Sequence, residues 1–355
     1  VFRILDWYVG RTILFASFMV LLTLQSLSMI IKFVEQLGAV GRGDYQIVDA
    51  LWYVVLSVPK ELELFFPVAA LLGSLIGLGT LASSSELTVM QAAGLSRFNI
   101  SVSVLKTAVP MMVLMMLLGE YVAPDTEVMA KELRSSKISG GSMMAVQRGV
   151  WAKDGDSFVN ISEVRDNQRL LNITIYHLND DNDLYRLIEG DAAYFKDGQW
   201  WIETARITEF DDEQIKRAEV NDLPWASTLT PEKLSVVAVK PLDLSITGLV
   251  SYIDYLKMNK QDPARYELAL ARKIMMPIVT AIMMLLSLSF VFGPLRSSSM
   301  GVKIILGVVA GFSYYIADQV LGSVSLVYGV PPYIGAALPS VFVLGLALVL
   351  INRRA

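Results

Sequence analysis

Thr12–Ile31 reads TILFASFMVLLTLQSLSMII, a stretch without a charged side chain. About 20 consecutive, mostly apolar residues are what an α-helix needs to cross the hydrocarbon of a bilayer. No small-residue cleavage site follows, so the stretch reads as a retained span rather than a signal peptide. The same texture recurs outward along the chain. Leu64–Ala82 is the second span, lengthened at its start by Leu51–Val58, and Phe98–Leu118 is the third. After a polar interval come Met275–Phe292, Val302–Leu321 and Tyr333–Ile351. Six spans are expected.

Composition agrees with this division. Of 355 residues 54% are hydrophobic and 18% charged, with a mean hydropathy of +0.50; a soluble domain carries about 25% charged residues. The charge is concentrated. Residues 125–267 hold 17 Lys/Arg and 25 Asp/Glu, a net −8, against 13 and 9 in the flanks, a net +4. A soluble insert is spliced into lipid-compatible flanks. There is no basic block, which argues against nucleic-acid binding. Cysteine is absent and His177 is the only histidine. Disulfides, thiolate or histidine metal cages and Ser-His-Asp triads are therefore excluded. No G-x-x-x-x-G-K-[ST] occurs, so the chain binds no ATP through a P-loop. No catalytic residue, metal site or bound cofactor is expected.

Lys and Arg in short loops set orientation. With a cytoplasmic N-terminus, Arg3, Arg11, Arg97, Arg296, Lys303, Arg353 and Arg354 all lie inside, and no charge falls between Ser323 and Pro332 on the opposite face. Both termini are then cytoplasmic and the insert external. VFRILDWYVGR at the start suits a short interfacial helix.

The insert alternates. SFVNISEV, NITIYHL, AAYF, WWIETARITEF and LSVVAV are separated by KDGD, NDDND and KDG. Such runs read as strands between turns, favouring an antiparallel sandwich, jelly roll or open barrel. The expected organisation is 1–122 with the first three spans, a linker at 123–145, an all-β jelly-roll-like domain at 146–245, a second linker at 246–272 and the last three spans at 273–355. Asp180/Asp181 and Asp211/Asp212 read as turn residues, and the sequons at Asn160 and Asn172 as coincidence.

Ionisable groups at membrane depth carry functional weight. Lys32 and Glu35 end the first span; Lys60, Glu61 and Glu63 begin the second, between Pro59 and Pro67. Lys131 and Arg134 follow the third span at helical i, i+3 spacing. Cations at this level could hold an anionic headgroup; equally, Lys32 and Lys60 could snorkel, paired with Glu35, Glu61 or Glu63. Asp318 in the fifth span could serve a proton relay, but no string of acidic or histidine groups accompanies it, so it reads as a structural hydrogen bond to a neighbouring helix. Gly73, Gly77, Gly79, Gly307 and Gly311 permit close helix approach. Between spans two and three, Ser83 to Glu86 reads as a capping box opening a short helix, Leu87–Ala93, that ends at Gly94 before Arg97. Such a helix near 83–94 suits a handle for a motor subunit.

The segments IIKFVEQL, SVPKELELFFP, SSELTVMQAAGLSR, VWAKDG, FGPLRSSSMG and ADQVLGSVSLVYGVPPYIGAALP resemble the membrane subunits of the bacterial lipopolysaccharide-export permease. The likeness spans the chain, and FGPLR and VYGVPP favour its G branch over its F branch. It implies an ATP-driven extractor of lipopolysaccharide in the Gram-negative inner membrane. Implied partners are an F-type permease subunit, two copies of a cytoplasmic ATPase that uses the ATP, a single-span C subunit and a periplasmic bridge. The insert would be periplasmic, with strands pairing edge to edge with its neighbours. By the same resemblance Lys32, Lys60, Lys131 and Arg134 contact lipid, and Phe65 and Phe66 wall the apolar cavity. Lysine at 131 keeps the charge but lacks the bidentate fork of arginine. Glu86, with Leu87, Met90, Gly94 and Arg97 around it, would couple to the ATPase. A different reading is a membrane-anchored scaffold whose β domain binds a partner without transport.

Overall fold

A computed structural model describes residues 4–139, 150–155, 157–165, 169–179, 183–211, 214–231, 241–292 and 298–352. The chain divides into two compact units. The first, residues 1–33, 55–126 and 264–355, is helical; the second, residues 34–54 and 127–263, carries the sheet.

Among the described residues six helices are long and apolar enough to cross a membrane. They are α1 (Ile4–Leu37), α2 (Ile47–Ser83), α4 (Arg97–Leu117), α7 (Ala264–Phe292), α8 (Met300–Val327) and α9 (Pro332–Asn352). Each coincides with a span expected from hydropathy, the third running one residue past α4 to Leu118. The short α3 (Glu86–Ala92) lies between α2 and α4. A π-helical turn, Leu118–Val122, joins α4 to α5 (Ala123–Ser139). Pro59 and Pro67 lie inside α2 without ending it, as lipid allows where neighbouring groups re-satisfy the freed carbonyls.

The helical core includes a cluster in which α2 and α7 are central. Phe66, Leu75 and Leu78 of α2 pack with Ile13 of α1, Val104 and Met111 of α4, and Leu288 and Val291 of α7. Glycines set the closest approaches. A Cβ on Gly73 would stand 2.2 Å from the Cα of Ser17, and one on Gly307 2.8 Å from a methyl of Leu72. Phe15, Phe18 and Leu22 of α1 and Ile305, Val309 and Phe312 of α8 are exposed, as surfaces made for lipid or for a partner helix are.

Among the described residues no separate interfacial helix precedes the first span, because α1 begins at Ile4 and continues unbroken to Leu37. Its first turn is drawn into the bundle. Asp6 is buried, accepting from Lys106 Nζ at 2.7 Å and from the Ser103 hydroxyl on α4.

In the second unit, β1 (Val150–Asp154), β2 (Ser157–Arg165), β3 (Arg169–Leu178), β4 (Leu184–Lys196), β5 (Gln199–Phe210) and β6 (Ile215–Trp225) form one antiparallel sheet. Its order is sequential, β1 to β6. Val159, Ile175, Ile188 and Ile207 stand opposite one another across β2 to β5 and are all buried. The KDG turn between β4 and β5 has Asp197 at φ 54° and Gly198 at φ 80°, the two left-handed positions of a tight hairpin. Sequence alternation missed β6, whose residues are almost all exposed; charged residues such as Lys216, Arg217 and Glu219 suit an edge. Residues 234–239, the last expected strand, lie outside the described residues, as do Asp180, Asp181, Asp212, Arg3, Arg296, Arg353 and Arg354.

The helix α6 (Ile246–Met258) closes this unit. Ser245 caps it by accepting from Gly248 N at 3.0 Å. The buried Tyr255 donates its hydroxyl to the Lys153 carbonyl at 2.7 Å, and Asn259 accepts from Gly155 N at 2.7 Å.

Candidate functional site

Glu61 and Glu63 are separated by one residue on α2, so they leave the helix in different directions and meet different neighbours. Both are buried. Glu61 faces α1: Lys32 Nζ lies 2.8 Å from one carboxylate oxygen, and Gln25 Nε2 donates to the other at 2.8 Å. Glu63 faces its own helix and α7. Lys60 Nζ lies 2.8 Å from one of its oxygens and Lys273 Nζ 3.5 Å from the other. Lys273 also donates to the carbonyl of Gly119 at 3.0 Å. That carbonyl lies in the π-turn, where backbone hydrogen bonding departs from the α pattern. The approach there is close, since a Cβ on Gly119 would sit 3.1 Å from the Glu63 carboxylate.

These charges sit among apolar helices, where an unpaired ion is costly and pairing offsets desolvation. Among the described residues Lys32 pairs with Glu61 and Lys60 with Glu63, and Glu35 forms no ion pair. Neither lysine is sealed off, with side chains 27% and 18% exposed against 8% and 6% for the glutamates. Sequence reasoning missed Gln25 and Lys273. Gln25 was visible as the lone amide inside the first span, and Lys273 as a cation at the entry of the fourth.

Phe65 and Phe66 diverge. Phe66 is buried in the helical core, whereas Phe65 is only half-buried. Of the two, Phe65 is the one with surface left to offer.

In the second unit Lys131 and Arg134 share a helix face but have different surroundings. Lys131 Nζ lies 2.7 Å from Asp243 and 3.3 Å from Glu127. Arg134 sits over the ring of Tyr53 at 6.0 Å, a cation–π contact that leaves the guanidinium edge to other ligands.

The capping box expected before α3 is not formed. α2 runs on to Ser83, whose hydroxyl donates to the Thr80 carbonyl at 2.8 Å. Ser85, at φ 63°, precedes α3 with no side-chain cap, and it is Ser84 that donates to Glu86 at 2.8 Å. The extra helical residues win because each adds a backbone bond, such as Ser84 N to Thr80 O at 3.0 Å. The C-terminal reading holds. Leu95 N meets Met90 O at 3.1 Å and Gly94 N meets Gln91 O at 3.0 Å, with Gly94 at φ +94°, the Schellman pattern.

Leu87 and Met90 are buried in the helical core and anchor α3, while Val89 is 66% exposed on the other side. Arg97 lies over the ring of Phe292 at 6.0 Å.

Asp318 on α8 is ion-paired with Arg272 on α7, Nε to carboxylate at 3.0 Å, and the Asp318 carbonyl accepts from Arg272 at 2.6 Å. Gly322, one turn on, leaves room for the guanidinium. The structural reading of Asp318 fits this geometry.

Residues 7–353 match the family model described as lipopolysaccharide export system permease LptF/LptG. Over 356 residues the chain is 45% identical to the lipopolysaccharide export system permease protein LptG of Escherichia coli (strain K12), covering 99% of each. It is 44% identical over 353 residues to LptG of Haemophilus influenzae, covering 99% of this chain and 98% of that protein. Similarity to LptF of Escherichia coli (strain K12) is confined to 90 residues at 37% identity, a quarter of each chain.

Proposed function

Because this chain belongs to the LptF/LptG family of lipopolysaccharide export system permeases, we propose that it is the G-type membrane subunit of an ATP-driven lipopolysaccharide extractor. The observation that carries the reading is the pair of part-exposed lysines, Lys32 and Lys60, each held by a buried glutamate. A lipid bearing phosphates is the ligand that such cations would hold. Phe65 adds apolar surface beside them, and in the second unit Lys131 and Arg134 offer charge to the same kind of lipid.

The termini and α3 lie in the cytoplasm and the sheet in the periplasm, following the distribution of Lys and Arg in short loops. Lipopolysaccharide leaves the outer leaflet of the inner membrane between this chain and an LptF-type partner, then passes along the sheet to a periplasmic bridge. A single-span C subunit joins at the side. Two copies of a separate ATPase hydrolyse ATP beneath; this chain supplies α3 as the handle, with Val89 and Glu86 outward and Leu87 and Met90 rooted in the bundle.

The test is reconstitution of the chain with an LptF-type subunit and the ATPase in liposomes containing lipopolysaccharide. Lipopolysaccharide-stimulated ATP hydrolysis and release of the lipid to a soluble acceptor are expected, and the chain alone should hydrolyse nothing. Assembly of the complex without stimulation or release would favour the scaffold reading instead.

A further inference from the structure

Glu61 and Glu63 share an arrangement that pairing alone does not require. In each, one carboxylate oxygen is held by a part-exposed lysine and the other by a buried donor: Lys32 and Gln25 for Glu61, Lys60 and Lys273 for Glu63. Gln25 is 5% exposed and Lys273 has a side chain 6% exposed. Neither has the access that a lipid-contacting residue needs. Lys273 is fixed from a second side by the Gly119 carbonyl.

We propose that Gln25 and Lys273 are positioning residues for counter-ion exchange. With no lipid bound, each glutamate holds its lysine; when an anionic headgroup arrives, the lysine turns to it and the buried donor retains the glutamate. Without that donor the exchange would strand a carboxylate among apolar helices, a penalty set against binding. The two sites are not equivalent. Lys273 brings a full positive charge to Glu63, whereas Gln25 brings only an amide dipole to Glu61. Lys60 therefore exchanges more readily than Lys32.

The inference rests on the reading that Lys32 and Lys60 contact the lipid, and the experiment separates the two. Purified lipopolysaccharide is titrated onto the full chain in complex with its LptF-type partner in detergent, and the apparent Kd is read. K60A establishes the lipid contact; an unchanged Kd there overturns that reading. K273M should weaken binding about tenfold, as loss of the partner of a buried charge does. E63Q should bind more tightly than the wild type, because Lys60 no longer has a competing carboxylate. The double variant K273M/E63Q should recover the affinity lost in K273M, since no carboxylate is left to strand. K273Q, which keeps a donor, runs in parallel and should fall between wild type and K273M, so a poorly folding K273M does not end the test. A weakened K60A with K273M at wild-type affinity, or with no recovery in the double variant, overturns the exchange while leaving the lipid contact standing. Q25L should weaken binding by less than K273M does; a larger loss overturns the ranking of the two sites.

Discussion

Lys32 on α1 and Glu61 on α2 meet at 2.8 Å, the lysine part-exposed and the glutamate buried. Replacing the lysine removes the reachable partner and leaves the buried one. K32M should lose crosslinking to lipopolysaccharide, while the folded protein loses about 1–3 kcal/mol because Gln25 still donates to Glu61. Site-specific photocrosslinking with thermal melts in detergent checks both. Undiminished crosslinking would reduce Lys32 to a structural cation.

The two faces of α3 should separate docking from folding. L87A empties a site that is 4% exposed in the helical core and should cost about 2–5 kcal/mol. V89D alters an exposed position and should leave the melting temperature in place while the ATPase no longer copurifies. E86K should likewise release the ATPase from an inserted protein. Intact copurification of both V89D and E86K would refute α3 as the handle.

Close helix contact predicts a contrast between glycines. G73A places a methyl 2.2 Å from the Ser17 backbone and must move α1, whereas nothing lies within 4 Å of a Cβ on Gly345. G73A should lower the melting temperature, and G345A should leave it unchanged or raise it slightly through helix propensity. Equal melting of the two variants would contradict the packing.

His177 offers a pH test within the sheet. Its Nδ1 hydrogen-bonds the Ser157 hydroxyl at 2.6 Å. Burial, then Arg186, push its pKa below the ordinary histidine value of 6.5, with Asp154 opposing. The folded form therefore takes up its proton at lower pH than the unfolded chain. Its contribution to stability is complete above pH 6.5 and is lost as pH falls through the lowered folded value. H177Q should melt with a shallower loss between neutral and acid pH than the wild type, followed by tryptophan fluorescence. Parallel pH profiles would remove His177 as a contributor.

Asp318 and Arg272 form an interhelical pair, which assigns Asp318 to packing rather than proton relay. D318N keeps the backbone carbonyl that accepts from Arg272, so lipopolysaccharide release at fixed ATP should persist and be insensitive to an uncoupler. Uncoupler-sensitive release would restore the proton-relay reading.

Legibility followed the range of the cause. Each span declared itself because hydrocarbon demands a continuous apolar length, and Gly94 declared the end of α3 because a left-handed residue is needed there. The start of α3 was misread: Ser83 and Glu86 have capping-box spacing, but whether a serine caps a new helix or extends the old one depends on competing backbone bonds. β6 was missed because an exposed edge strand has no buried face to impose alternation. Lys273 was overlooked because its partners, Glu63 and the Gly119 carbonyl, come from other parts of the chain.

The stretch Thr12–Ile31 determined by itself that the chain enters a membrane, since length and apolarity are local properties that bilayer thickness tests directly. Together with the charge-dense middle it also determined the division into spans and insert. The amide of Gln25 inside that stretch had no meaning until α1 and α2 packed, with Gly73 against Ser17 bringing the backbones close. Tertiary structure alone decided which lysine each glutamate holds and which buried donor stands behind it. A carboxylate removed from water must take its partners from whatever the fold brings within hydrogen-bond reach.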